Sequence, residues 1–294
     1  MSECYVCHSL RNRPKLSESP IEYRFGKPVL PAETYSQREC RDCGLLFADC
    51  DVTEEYIDSL YASESVEWQK EFTGASAEIG VSRVAEFRTL ARRMFDIKPW
   101  TSEQPAKILD FGCQTGEFNE VAKSIASVDP YGVELSQDYA EHAAKRWGND
   151  HVHVGHLETA PFTPGMFDYI SAQEVLEHLC DPLAVARKLR ELIKPDGLLL
   201  VSVPSADYFV LKKRLYDAAG RRGQALVHTH IFNFTPASMR KMLASAGFEV
   251  THSFGIGWHG RARTIGNLGS DVLATLTLGK RVFSPSLVCF ARPI

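Results

Sequence analysis

From Ala106 to its last residues the chain alternates short apolar runs with amphipathic stretches of helical length, a pattern compatible with few folds. The runs read as strands at 106–112, 131–135, 152–157, 167–173, 197–204, 248–254 and 286–292. Apolar strands of this kind, separated by helices, predict a parallel sheet covered on both faces. The punctuation agrees. Ser136 is placed to cap a helix that Gly148 ends, Asp181-Pro182 opens one running through Ile193, and Thr235-Pro236 opens one that Gly247 closes. The expected class is α/β with seven strands, the last two forming a hairpin-like pair.

Upstream the pattern changes. Cys4 and Cys7 form one C-x-x-C, Cys40 and Cys43 a second, and thirty-two residues separate them. Each two-residue gap lets a tight turn present both thiolates to one ion, so the four predict a tetrahedral, structural Zn²⁺ site in a zinc ribbon. Gly44 permits the positive φ of a knuckle, and Leu45-Leu46-Phe47 pairs back as a strand. The long interval implies a hairpin with an enlarged loop around Arg24 to Pro31. Four unrelated buried thiols are the alternative. A thioredoxin-like pair is disfavoured because neither C-x-x-C falls between a strand and a helix. Cys50 is set aside, since four thiolates complete a tetrahedron.

Residues 51–100 read as a helical lid or linker, with helices from Glu54 to Tyr61 and from Val81 to Phe95, and the prolines of Lys98–Pro105 end it. The chain thus divides into 1–50, the zinc ribbon; 51–100, the lid; and 101–294, the α/β domain. Hydrophobic residues at 44% and charged residues at 24% are those of an ordinary folded protein. The formal charge of −4 gives no general basic footprint for nucleic acid. No apolar run approaches the roughly 18 residues of a membrane helix, and the polar N-terminus carries no export signal, so a cytoplasmic location with reduced cysteines is expected.

The first strand of the alternating region runs into Asp110-Phe111-Gly112-Cys113-Gln114-Thr115-Gly116. Glycines there let the backbone turn tightly beneath a ligand, and backbone N–H groups near Gly116 suit an anionic group. The next strand ends in Glu134, eighteen residues after Gly116, where a carboxylate can accept from both hydroxyls of a ribose. A dehydrogenase loop is disfavoured because the middle glycine of G-x-G-x-x-G falls on Gln114.

Asp110-x-Gly112-x-x-x-Gly116, Glu134, the stretch Gln173-Glu174-Val175-Leu176-Glu177-His178-Leu179 with Asp181-Pro182, and Lys194-Pro195-Asp196-Gly197 together resemble class I S-adenosylmethionine-dependent methyltransferases. The N-terminal cysteines ending in Cys-Gly-Leu-Leu-Phe resemble the zinc-binding domain fused to methyltransferases of sugar and natural-product pathways. The resemblance implies a Rossmann-like, seven-stranded methyltransferase sheet with S-adenosyl-L-methionine as cofactor. It assigns Gly112 and Gly116 to the methionine end, with Asp110 orienting the loop and the ammonium, and Glu134 to the ribose, and it counts Cys113 and Gln173 among the cofactor-binding residues. Gln114 replaces a glycine common in the family. His156-Leu157 replaces an acid often found after the third strand, leaving the adenine to backbone groups and to apolar contact with Leu135 and Leu157.

Methyl transfer needs a nucleophile aligned about 3 Å from the methyl and relieved of its proton. If a helix follows the fourth strand, Glu174, Glu177 and His178 share one face. With His230, from the stretch His228 to Phe234, they resemble the metal site of small-RNA 2′-O-methyltransferases, where Mg²⁺, Mn²⁺ or Zn²⁺ would suit. The competing reading, which is preferred, has His178 or His230 acting alone as general base. An insertion from Tyr208 to Val227 carries Lys212-Lys213-Arg214 and Arg221-Arg222, placed to hold a phosphate, with His228 and Asn233 beside it; a solvated helical face is the plainer alternative.

The function these features favour is O-methylation of a small hydroxylated metabolite: a sugar, nucleotide-sugar or natural product. An RNA methyltransferase gripping nucleic acid with its ribbon, or a non-catalytic cofactor-binding scaffold, are the alternatives. No nucleic-acid or membrane partner is expected, and an exposed apolar lid or ribbon face could support a homodimer.

Overall fold

The computed structural model of the chain describes residues 3–18, 22–24, 27–62, 81–221, 226–257 and 280–294. In chain order its strands are β1 (Asn12–Glu18), β2 (Tyr23–Arg24), β3 (Lys27–Pro28), β4 (Tyr35–Cys40), β5 (Leu46–Ala48), β6 (Ala106–Phe111), β7 (Val128–Glu134), β8 (Val152–Val154), β9 (Phe167–Gln173), β10 (Ile193–Pro204), β11 (Phe232–Asn233), β12 (Phe248–Ile256) and β13 (Ser286–Pro293). The helices are α1 (Glu54–Tyr61), α2 (Val81–Ile97), α3 (Glu117–Lys123), α4 (Gln137–Trp147), α5 (Pro182–Leu192), α6 (Ala206–Ala218) and α7 (Pro236–Ser245). No helix among the described residues is long and apolar enough to cross a membrane.

All seven expected strands enter one sheet, in the order β12-β13-β10-β9-β6-β7-β8. β6 pairs in parallel with β7 and with β9, and β7 with β8. The class I methyltransferase architecture expected from the sequence is therefore present. Differences lie at strand ends. β7 begins at Val128 and passes through Pro130, and β8 stops at Val154 because Gly155 turns at φ +128°. A second sheet has the order β1-β4-β5-β11, and β2 pairs with β3 in the enlarged loop that the cysteine interval predicted.

The helix boundaries follow their local chemistry. Ser136 Oγ accepts from Tyr139 N at 3.3 Å, and Thr235 and Ser238 form a reciprocal capping box with Pro236 at the first turn. The helix anticipated after the fourth strand does not form. Glu174 takes φ +53°, Val175 takes φ −125°, and only one 3₁₀ turn, Leu176–His178, follows. Glu174, Glu177 and His178 therefore share no helical face.

Two compact units organise the chain. The first comprises Met1–Leu60, Glu174–Ala186 and Ser202–Cys289. Its core includes Tyr35, Leu45, Leu46, Phe47, Phe232 and Phe234, with Tyr5 edge-on to Phe47 and Phe232. The second comprises Tyr61–Gln173, Arg187–Val201 and Phe290–Ile294. There Ile108, Leu109, Ile170, Leu198 and Leu199 are fully buried, each stabilising by about 1.5–3 kcal/mol. Phe87 of α2 meets Phe118 of α3 edge-on at 5.8 Å.

Candidate active site

In the second unit, polar groups gather at the carboxyl ends of β6, β7, β8 and β9. β6 delivers Asp110 and then the loop, where Gly112, Gln114 and Gly116 take φ of +74°, +47° and +88°. Gly112 N and Cys113 N donate to Val133 O at 2.9 and 3.2 Å, tying the loop to β7. Gly116 leaves no room for a side chain: a Cβ there would stand 2.5 Å from Trp147 Cζ2.

Asp110 is buried beside Ser171, and its pKa is pushed up to about 8. Burial is the main cause, opposed by the Ser171 hydrogen bond and reinforced by Glu117 and Glu134. A buried carboxyl of this kind is suited to an incoming cation. Glu134 closes β7. Its Oε2 accepts from Gln114 N at 2.8 Å and its Oε1 from Ser136 N at 2.9 Å, while burial raises its pKa. Each oxygen keeps a lone pair for a hydroxyl. Half-buried Leu135 follows, and Gly155 N donates to Glu134 O at 2.9 Å, which brings the 155–157 turn alongside. There His156 precedes the 3₁₀ turn whose Leu157 is buried. Gln173 ends β9, donating Nε2 to Ser171 Oγ at 2.8 Å. Asp110, the 112–116 loop, Glu134 and Gln173 thus stand at the carboxyl ends of β6, β7 and β9. Ser171, the Ser136 amide and Trp147 contact these residues through strand register and helix packing, which the sequence does not mark.

In the first unit, Glu177, His178 and His230 present ligand atoms within 4.8 Å of one another. His178 Nδ1 lies 3.0 Å from Thr229 O. A carbonyl only accepts, so in the neutral ring Nδ1 carries the proton and Nε2 keeps its lone pair. That Nε2 is 3.7 Å from Glu177 Oε1, and the His178 and His230 rings meet edge-on at 5.1 Å. Glu177 is 0% exposed, with no hydrogen bond to either carboxylate oxygen, and its pKa is driven well above normal by burial and then by Glu174. Glu174 Oε1 accepts from Ser202 Oγ at 3.2 Å. It stands outside the three-residue cluster, because the φ +53° turn removes the helical spacing that would have aligned it.

The four paired cysteines also converge. Cys4 Sγ is 3.6 Å from Cys43 Sγ, Cys7 Sγ is 3.5 Å from Cys40 Sγ, and all four lie within 4.8 Å. Tetrahedral bonds of about 2.3 Å to zinc require sulfurs roughly 3.8 Å apart, so the donor set fits that ion. Cys43 holds the Cys4 thiol down to about 5, whereas burial pushes Cys7 up to about 11.

The residues expected to contact the acceptor are differently placed. His228 is 2% exposed: its Nδ1 accepts from Glu22 N, and its Nε2 donates to Glu18 Oε2, both at 3.2 Å. Asn233, 3% exposed, gives its Nδ2 proton to Gln37 Oε1 at 3.0 Å. The His228 ring nitrogens and Asn233 Nδ2 thus face protein partners, while buried Asn233 Oδ1 makes no hydrogen bond among the described residues. Arg221 is exposed, with its guanidinium 6.0 Å from the Tyr216 ring, and Arg222 lies outside the described residues.

A seven-stranded sheet with a glycine loop after its first strand and an acid ending its second defines a class I S-adenosylmethionine-dependent methyltransferase. The family described as "Methyltransferase domain" matches residues 83–253, and the chain belongs to it. The ubiquinone biosynthesis O-methyltransferase of Methylococcus capsulatus is 26% identical over 192 residues, covering 62% of this chain and 81% of that protein. Two solved structures share the fold. The Burkholderia thailandensis 1,6-didemethyltoxoflavin-N1-methyltransferase, with 1,6-didemethyltoxoflavin and S-adenosylhomocysteine bound, has a TM-score of 0.53 at 17% identity, covering 86% of this chain and 97% of its own. A complex of the Haloferax volcanii Trm112 methyltransferase activator with a methyltransferase gives 0.52 at 16%, covering 83% and 99%.

Proposed function

We propose that this enzyme methylates a hydroxyl of a small metabolite, of the sugar, nucleotide-sugar or natural-product kind, with His178 Nε2 taking the hydroxyl proton. The observation that carries this reading is the tautomer of His178, set by Thr229 O, which leaves Nε2 as acceptor. S-adenosylmethionine supplies an electrophilic methyl on a sulfonium. Asp110 would hold its ammonium, the 112–116 loop its methionine end, Glu134 its ribose hydroxyls, and Leu135 and Leu157 its adenine. Proton removal raises the nucleophilicity of an oxygen with an ordinarily high pKa, a contribution of about 10²–10⁴-fold. Exposed Arg221 supports an anionic acceptor. Zn²⁺ on Cys4, Cys7, Cys40 and Cys43 would be structural, and a cytoplasmic setting suits these free thiols.

A second reading is favoured by Glu177. Glu177 presents two buried oxygens without hydrogen bonds, and a Mg²⁺, Mn²⁺ or Zn²⁺ ion held by Glu177, His178 and His230 would satisfy them and acidify the acceptor hydroxyl. Activity lost to EDTA and restored by Mn²⁺, with the Cys₄ zinc retained, would select it.

The test is incubation with methyl-labelled S-adenosylmethionine and fractionated extract of the source organism, followed by mass analysis. A small O-methylated product is expected. Label in RNA or on nitrogen would overturn the proposal.

A further inference from the structure

We infer that the cysteine module is the frame that holds His230 and, through Thr229, His178, and that Tyr35 and Gln37 are the positioning residues that transmit this hold. The inference rests on the histidine reading above.

Tyr35 and Gln37 are alternate residues of β4, so their side chains leave the same face of the strand. Tyr35 Oη donates to His230 O at 2.9 Å, and Gln37 Nε2 donates to the same oxygen at 3.3 Å. Two side chains thus occupy both lone pairs of one carbonyl. Around it, the Tyr35 ring stacks on His228 with centroids 4.8 Å apart, and Gln37 Oε1 takes the Asn233 amide proton. β5 pairs with β11 in the register Phe232↔Phe47 and Asn233↔Leu46, and Ala48 N donates to Ile231 O at 2.8 Å. Thr235 Oγ1 donates to Cys43 O at 3.3 Å and fills the space a Cβ on Gly44 would need.

The segment from His228 to Thr235 is therefore gripped by the strand that ends in Cys40 and by the Cys40–Cys43 turn. From its other side, Ile231 N donates to Glu177 O at 2.8 Å and Thr229 O takes the His178 proton. Both histidines hang on one short stretch whose backbone is fixed by β4. A buried phenol and amide each cost roughly 1–3 kcal/mol unless hydrogen-bonded, so apolar residues would serve a purely structural core as well. The polar identity of positions 35 and 37 is explained by His230 O. A metal on the four thiolates anchors the end of β4 and the turn against Thr235, which gives the ribbon a role in aligning the histidines.

The test uses the full-length, zinc-loaded protein with ¹⁵N-labelled histidine and reads ring tautomers by long-range ¹H–¹⁵N correlation. In the Tyr35→Phe/Gln37→Leu variant, and after chelation of the zinc, the His178 and His230 signals should shift and broaden. Those of His142, His151 and His153, in the other unit, should stay in place, as should S-adenosylmethionine affinity by calorimetry. Tyr35→Phe alone, which removes one oxygen, should produce a smaller shift of the same signals and serves if the double variant does not fold. With an acceptor in hand, kcat should fall about tenfold or more while KM for S-adenosylmethionine is unchanged. Unmoved His178 and His230 signals in Tyr35→Phe and on chelation would overturn the inference. Full turnover by His178→Ala alongside the predicted shifts would remove the base assignment while supporting the hold.

Discussion

The backbone N–H of Gln114 meets Oε2 of Glu134 at 2.8 Å, joining the loop after β6 to the end of β7. Gln114 adopts φ +47° to make that bond, a left-handed conformation that disfavours side chains by about 1–2 kcal/mol. Ser136 N completes the pair on Oε1. The carboxylate is thus oriented by the backbone before any ligand arrives. Glu134→Gln places an amide N–H against one of these donors. Loss of a hydrogen bond to a charged group costs about 1.5–3 kcal/mol, so S-adenosylmethionine should bind roughly ten- to a hundredfold more weakly by calorimetry. Gln114→Gly, which keeps the N–H and accepts the φ, should leave affinity within about twofold of the parent.

Asp110 predicts a pH dependence. Its folded pKa of about 8 lies above the ordinary 3.8, so the group stabilises the unliganded fold at low pH, and that contribution is lost as pH rises from about 4 to about 8. A ligand ammonium held by Asp110 would favour the carboxylate, so affinity should increase as pH rises towards about 8. Asp110→Asn should abolish that slope and raise Tm more at pH 8 than at pH 5, as read by calorimetry and thermal melts.

Gly132 on β7 is a packing requirement. An added Cβ would stand 2.5 Å from Cys113 Sγ and 3.1 Å from Trp147 Cζ3. Gly132→Ala should cost about 1–3 kcal/mol and lower Tm by several degrees. Cys113→Ala in the same chain should restore part of the loss, because it removes the nearest atom.

The four thiols predict one zinc per chain by elemental analysis. Cys40→Ser should release the metal and lower Tm, whereas Cys50→Ser, outside the cluster, should leave the zinc content at one. Metal-free folded protein with four titratable thiols at these positions would contradict the assignment.

Much of this was legible in the sequence because it depends on local chemistry. Apolar runs marked all seven strands of the large sheet, the Ser136 and Thr235 caps formed as read, and paired spacing identified four converging cysteines. The positive φ of Glu174 was not legible, because a glutamate at that conformation is fixed by its surroundings: its N donates to Ser202 O at 2.8 Å. Nor was β11, two residues long and defined only by its partner β5, nearly two hundred residues upstream. His228 and Asn233 looked available for an acceptor, yet long-range partners, Glu18 and Gln37, claim them.

The most direct test of the central claim compares wild type with His178→Gln on the acceptor identified by labelling, measuring S-adenosylmethionine Kd and the pH profile of kcat. The account predicts an unchanged Kd, a kcat at least a hundredfold lower, and loss of the acidic limb. An unchanged kcat and pH profile would contradict it.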